Sequence, residues 1–142
     1  MIERRQVRRM TPVILAAVAL LVALDAMGEL AGQPLGFPYL PLGVVSLLIY
    51  LSVGAICSWR TSFGGGLLAA AVVGVLAGTV GPLVAWLIGS GPVAQDVTEP
   101  RIFAYRVAFV TATAAAAGFI GAAAASWLER RRAVRSSGVV PR

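Results

Sequence analysis

Four uninterrupted apolar stretches constrain the fold more than any other feature of this chain of 142 residues. A helix that crosses a bilayer needs about 20 mostly apolar residues, and each stretch is long enough. The predicted spans cover residues 11–31, 40–59, 64–88 and 102–128. Strands are excluded because the stretches are long and do not alternate, and a membrane barrel needs at least about eight strands. The sequence predicts an all-α membrane protein, a single-domain bundle of four transmembrane helices.

The overall composition supports the same class. Apolar residues make up 58% of the chain and charged residues 13%, whereas a soluble domain is about half apolar and about a quarter charged. Intrinsic disorder is excluded because it requires low hydrophobicity and high charge. The first stretch, which follows a basic start, could instead be a signal peptide, but three further spans leave the class unchanged.

The residue inventory excludes many enzyme classes. The chain has no histidine and no lysine, which excludes imidazole catalysis, histidine-ligated metals and Schiff-base chemistry. The single cysteine, Cys57, permits no internal disulfide and no CxxC pair. Without a nucleophile beside a base, the sequence predicts a protein that is not an enzyme and needs no cofactor.

The arginines predict the orientation in the membrane, since cytoplasmic segments carry an excess of basic residues. Ten of the twelve fall on one side of the predicted spans, and only Arg101 and Arg106 fall on the other. The ten are Arg4, Arg5, Arg8, Arg9, Arg60, Arg130, Arg131, Arg132, Arg135 and Arg142. Both termini are therefore predicted to be cytoplasmic, with residues 129–142 as a flexible basic tail.

Attraction to anionic lipids can explain the net charge of +6. Each arginine near an anionic inner leaflet contributes about 1 kcal/mol of attraction, so anionic lipids are the predicted partners. Nucleic-acid binding is not predicted, because no folded basic domain is present to carry it. The small size, minimal loops and all-arginine basic set favour the inner membrane of a prokaryote.

Proline and glycine mark the predicted boundaries. Residues 33–41 contain three prolines and are expected to form a loop, as are the polar turn at 58–62 and the break at 89–92. Pro12 is expected in the first turn of its helix and Pro100 at the start of the fourth, where a missing N–H is tolerated. Pro82 is expected to kink the third helix.

Small residues at four-residue spacing predict close helix packing, which is what holds helices together in lipid. Gly74 and Gly78 form a GxxxG in the third span, and Gly118 and Gly121 lie on two small-residue ridges of the fourth. One ridge is expected to meet the third helix. The other could meet a second subunit, or both could be filled within the chain.

Asp25 and Glu29 are the one group of candidate functional residues in the predicted spans. They lie four residues apart, on one face of the first helix. At about 1.5 Å per residue, Asp25 is about 21 Å from Thr11 and about 9 Å below the outer edge of a 30 Å core. Arg106 and Arg101 are the nearest cations. The pattern supports either a proton or cation site, since intramembrane carboxylates are candidates by default, or a structural Glu29–Arg106 pair.

Two functions follow from these observations. The first is a non-enzymatic accessory or structural membrane component, which associates with itself or with an unknown membrane partner. The second is a small proton- or cation-coupled transporter or channel that uses Asp25 and Glu29. No motif in the chain identifies a family.

Overall fold

The computed structural model of the protein describes residues 4–35, 39–88 and 99–136. They form four helices: α1 (Arg4–Leu35), α2 (Tyr39–Arg60), α3 (Phe63–Ile88) and α4 (Pro100–Ser136). Each contains a segment that is long and apolar enough to cross a membrane. The prediction of an all-helical chain with four such helices is confirmed for the described residues.

Two helices extend beyond the predicted spans. α1 begins at Arg4, so Pro12 lies inside the helix rather than in its first turn and leaves the Arg8 carbonyl without a helix donor. α4 continues to Ser136 through much of the segment expected to be a flexible tail. Arginine, leucine, glutamate and alanine are among the best helix formers, and residues 128–133 consist of these types alone. Residues 137–142 lie outside the described part.

The proline-rich connection is shorter than expected. α1 reaches Leu35 and α2 begins at Tyr39, so most of the loop expected at residues 33–41 is helical. Pro41 stands in the first turn of α2, where no backbone donor is required. Residues 36–38, and residues 89–98 with the expected break at 89–92, lie outside the described ranges.

The connection between α2 and α3 is the expected turn, reduced to Thr61 and Ser62. The Thr61 amide donates to the carbonyls of Cys57 and Ser58 at 3.0 and 3.3 Å, which closes α2. The Ser62 hydroxyl accepts the Gly65 amide at 3.2 Å, as an N-cap side chain does. This two-residue link forces α2 and α3 to run antiparallel side by side.

Three helices form the tight part of the bundle. α4 packs along both α2 and α3, while α1 lies outside, against α2 and α3. The centre consists of small or medium side chains, and Cys57, Ala70, Val73 and Ala114 are completely buried. The bundle is therefore held together by close backbone approach rather than by large interlocking side chains.

α2 and α4 approach each other closely at Gly54 and Gly118. A side-chain carbon at Gly54 would overlap the Gly118 carbonyl oxygen and lie 2.6 Å from the Gly118 Cα. Near this crossing, the same carbon at Gly121 would overlap the Leu51 carbonyl oxygen. Glycine is required at these positions because the obstacle is backbone, which no side-chain rotation can move.

The two small-residue ridges of α4 are both filled within the chain. On the first, Gly118 meets Ala70 and Ala114 meets Gly74, where a side-chain carbon would lie 2.6 Å from the Ala114 Cβ. On the second, Gly121 meets α2. All residues of the ridges are buried: Ala114, Gly118 and Ala122 on the first, and Ala117, Gly121 and Ala125 on the second. This is the arrangement that the intrachain alternative predicts.

The described arginines gather as the charge pattern implies. The Thr61 hydroxyl lies 3.9 Å from the Met10 sulfur, which joins the start of α1 to the end of α2. Arg132 stacks 5.2 Å from the Trp59 ring, which brings the end of α4 to the same place. We call this the basic end of the bundle, and its exposed arginines are Arg8, Arg9, Arg60, Arg130, Arg131 and Arg132. Arg101 and Arg106 belong to the start of α4, at the far end.

Candidate functional site

A cavity of about 480 Å³ lies between the four helices, in the half of the bundle away from the basic end. Every helix contributes to its lining. Its polar and charged lining residues are Asp25, Ser46, Tyr50, Arg106 and Thr113. Large apolar side chains form most of the remaining wall: Leu21, Val44, Leu47, Pro82, Phe109 and Val110. We call this space the far-end cavity.

The position of the cavity follows from the sequence of α2 and α4. The two backbones touch at Gly54 and Gly118, where no side chains separate them. Beyond this crossing, towards the far end, the lining residues are larger, among them Tyr50 on α2 and Phe109 on α4. Phe109 and Leu47 are 62% and 42% exposed, so the space is open on the side between α2 and α4, and α1 and α3 line it from behind.

Asp25 projects from α1 to the wall of this cavity and is half-buried. Its carboxylate rests against Gly81 of α3: a side-chain carbon at Gly81 would overlap Asp25 Oδ2 and lie 3.3 Å from Asp25 Cγ. The absence of a side chain at Gly81 therefore provides the seat for the carboxylate. The structure thus places the Asp25 carboxylate between α1 and α3.

Arg106 lines the same cavity from α4 and is also half-buried. The structure thus brings together two of the three predicted site residues, Asp25 and Arg106, from helices that are far apart in the chain. Both take part in interactions within the fold. The side chain of Glu29 lies outside the described part of the chain, so the Glu29–Arg106 pair remains a prediction.

Next to Asp25, Pro82 changes the hydrogen bonding of α3. Pro82 is almost completely buried and lines the cavity with Gly78. Because proline has no N–H, the carbonyl of Gly78, four residues earlier, receives no helix hydrogen bond from it. The helix runs through Pro82 from Phe63 to Ile88, and the expected kink remains a prediction. The far-end cavity therefore has a backbone acceptor among its lining residues.

The serine and threonine hydroxyl groups that line the cavity from α2 and α4 bond to carbonyls of their own helices. Ser46 donates to the Leu42 carbonyl at 3.0 Å and Thr113 donates to the Phe109 carbonyl at 2.9 Å. Their oxygens keep lone pairs that can accept a hydrogen bond. Tyr50 is buried, with 5% of its surface exposed.

Sequence reasoning missed several of these residues. Neither Gly81 nor Gly54 is among the residues predicted from the sequence. The adjacent pair Gly81–Pro82 within an apolar span was the one signal available, since it combines a missing side chain with a missing donor. Phe109 carried no signal, because one aromatic residue in an apolar helix is ordinary.

With carboxylate, guanidinium and hydroxyl groups on its wall, the site can bind a ligand and can bind or release a proton or a cation. Among the described residues, no group of three or more histidine, cysteine, aspartate or glutamate side chains could hold a metal ion. The class defined by the fold and the cavity is a bundle of four helices, each apolar enough to span a membrane, with a charged cavity in one half. Comparison with protein-family models, curated proteins and solved structures finds no match to the chain.

Proposed function

We propose that the protein is a four-span integral membrane protein of a prokaryotic inner membrane, with both termini in the cytoplasm. Four apolar helices support the membrane placement. The basic end supports the orientation, because arginines are enriched on the cytoplasmic side. In this orientation the far-end cavity lies in the outer half of the membrane, and Arg131, which stacks 3.7 Å from the Trp127 ring, lies at the inner headgroups.

Cysteine labelling tests this orientation. In a Cys57→Ala background, we expect a membrane-impermeant maleimide to label Glu99→Cys in intact cells, because Glu99 precedes α4 at the outer side. Ser62→Cys, in the turn between α2 and α3, should be labelled only after the membrane is opened. Both positions are exposed in the fold, so access to reagent is the only difference. If only Ser62→Cys were labelled in intact cells, the protein would have the opposite orientation in the membrane.

We propose further that the protein is a small proton- or cation-coupled transporter or channel, and that Asp25 is its working group. The observation that carries this proposal is the placement of Asp25 on the wall of a cavity shared by all four helices. A carboxylate within a membrane span is costly, with about 3 kcal/mol for aspartate at the centre of a helix. The cavity beside Asp25 has the size of a small-ligand pocket. A carboxylate kept there at this cost favours a solute-binding role for Asp25 over a purely structural role in joining helices.

The packing of α4 bears on the accessory role. The two small-residue ridges predicted from the sequence are filled by α2 and α3, but Ala104, Ala108, Ala112 and Ala116, also four residues apart on α4, are exposed. This exposed face of α4 could serve either a second copy of the chain or a foreign partner. Purification of the tagged protein from its host in native nanodiscs tests that role, since a stoichiometric foreign chain would identify an accessory subunit.

The direct test is flux through the purified protein in liposomes. We expect proton or monovalent cation flux for the wild type and its loss, by at least about tenfold, for Asp25→Asn, which keeps the shape of the side chain but removes its charge. Glu129→Gln is the matched control, because it removes one carboxylate from an exposed position at the basic end, and its flux should equal that of the wild type. Equal flux from Asp25→Asn and the wild type would refute the role of Asp25.

A further inference from the structure

We propose that the far-end cavity binds the protonated amino group of a small amphipathic amine, with its N–H groups shared between the Asp25 carboxylate and the Gly78 carbonyl. This inference rests on the proposed function and names the class of cation that the site selects. It separates amines that carry N–H donors from quaternary ammonium ions of the same size. The argument depends on two acceptors, on the walls of the cavity and on the second charge in it.

The two acceptors belong to neighbouring helices and meet at one place. The carboxylate of Asp25 rests on Gly81. In an α-helix, the carbonyl of residue i is directed at the nitrogen of residue i+4 and passes beside residue i+3, so the Gly78 carbonyl emerges next to Gly81. Pro82 supplies no donor to it. A buried carbonyl is normally hydrogen-bonded, and a donor held by Asp25 is placed to satisfy it.

An ammonium group with N–H bonds satisfies both acceptors together. A charge-assisted N–H···O bond to a carboxylate is about twice as strong as a neutral one, and a second N–H can reach the carbonyl. A quaternary ammonium ion offers the same charge but no donor, so it leaves the Gly78 carbonyl unsatisfied. The chemistry on α3 therefore selects for hydrogen-bond donors and not for positive charge alone.

The walls fit the apolar part of such a molecule. Leu21, Leu47 and Val110 line the cavity, and its volume of about 480 Å³ falls within the range of small-ligand pockets. The buried Tyr50 adds an aromatic ring to the lining, and an aromatic face attracts a cation within about 6 Å. The occupant is thus an amine with an apolar body rather than a bare metal ion.

Arg106 opposes this occupant, because it places a second positive charge on the same cavity. The ligand and the guanidinium compete for the negative potential of Asp25. Removal of the Arg106 charge should therefore strengthen amine binding, whereas removal of the Asp25 charge should weaken it. An anion-binding cavity would show the reverse pattern, so the two variants distinguish the sign of the ligand.

Calorimetric titration of the full-length protein in nanodiscs tests the proposal, with protein-free nanodiscs as the control for partitioning into lipid. The probe is 4-phenylbutylamine, and its comparison compound is the N,N,N-trimethyl derivative. We expect the amine to bind the wild type at least tenfold more tightly than the trimethyl compound, and Asp25→Asn to weaken the amine at least tenfold. Arg106→Gln should strengthen it about threefold or more. Equal affinities of the two compounds, or unchanged binding in Asp25→Asn, would overturn the proposal.

Pro82→Ala isolates the carbonyl. Alanine restores the N–H that pairs with the Gly78 carbonyl, so we expect a higher melting temperature together with an affinity for the amine at least threefold weaker. A loss of affinity caused by damage to the fold would instead lower the melting temperature. Unchanged affinity in Pro82→Ala would contradict the two-acceptor site. Calorimetry measures binding independently of transport, so the two proposals can fail separately. Amine binding without any flux would refute the proposed transport function but not the amine site. Asp25-dependent proton flux without amine binding would refute the amine site but not the transport function.

Discussion

Gly54→Ala is expected to lower the free energy of unfolding by about 2 kcal/mol or more, the scale of overpacking in a close-packed core. Helix propensity alone would raise the stability, because alanine is about 1 kcal/mol better than glycine inside a helix. At Gly54 the cost of the steric overlap is larger than this gain. The new methyl group would overlap the Gly118 carbonyl oxygen and lie 2.8 Å from the Gly118 carbonyl carbon, so α2 and α4 must separate. That separation loosens the centre of the bundle.

Gly43→Ala is the matched control, because it makes the same substitution on the same helix. A side-chain carbon at Gly43 meets no atom within 4 Å, so only the propensity term remains and stability should be equal or slightly higher. Thermal unfolding of both variants in one detergent gives the comparison. Equal melting temperatures for Gly54→Ala and Gly43→Ala would show that α2 and α4 are not in backbone contact.

Gly81→Ala is expected to reduce Asp25-dependent flux, though less than Asp25→Asn does, while the protein stays folded. The added methyl group occupies the place of Asp25 Oδ2. Here the obstacle is the end of a side chain, which can rotate away, and not backbone as at Gly54. The structural cost is therefore small, but the carboxylate is displaced from its seat on α3 and from the carbonyl beside Pro82. In this variant the flux should fall while the melting temperature stays close to that of the wild type.

Gly64→Ala is the control on the same helix, since a side-chain carbon there meets nothing within 4 Å. Its flux and melting temperature should match those of the wild type. Flux assays and thermal unfolding of both variants are read together. Normal flux in Gly81→Ala would show that the contact between Asp25 and α3 is unimportant for transport, and a large fall in its melting temperature would mean that the contact is structural.

Much of the bundle was predictable because the relevant signals are local. Span length, the arginine distribution and the four-residue ridges are properties of single helices, so Gly74, Gly78, Gly118 and Gly121 could be recognised as packing residues before any contact was known. The extended ends of α1 and α4 were predictable in principle, since arginine and alanine are strong helix formers. They were missed because the membrane criterion ends a span where charge begins.

The site was less predictable because it depends on pairing between helices. Asp25 could be recognised alone, as a carboxylate within a span, and Arg106 as a nearby cation. Nothing in one sequence states that Asp25 rests on Gly81 or that Pro82 lies on the same wall, because residues that are 56 positions apart share no periodicity. The contact of the Asp25 carboxylate with Gly81 became visible only when α1 was placed against α3.

Flux through purified protein in liposomes, measured for the wild type, Gly81→Ala, Asp25→Asn and Glu129→Gln in one series, tests the central claim most directly. The proposed role of Asp25 predicts a graded result. Glu129→Gln should equal the wild type, Gly81→Ala should be intermediate, and Asp25→Asn should be lowest. Equal flux in all four, or no flux in the wild type above protein-free liposomes, would contradict the proposal that the far-end cavity is a transport site.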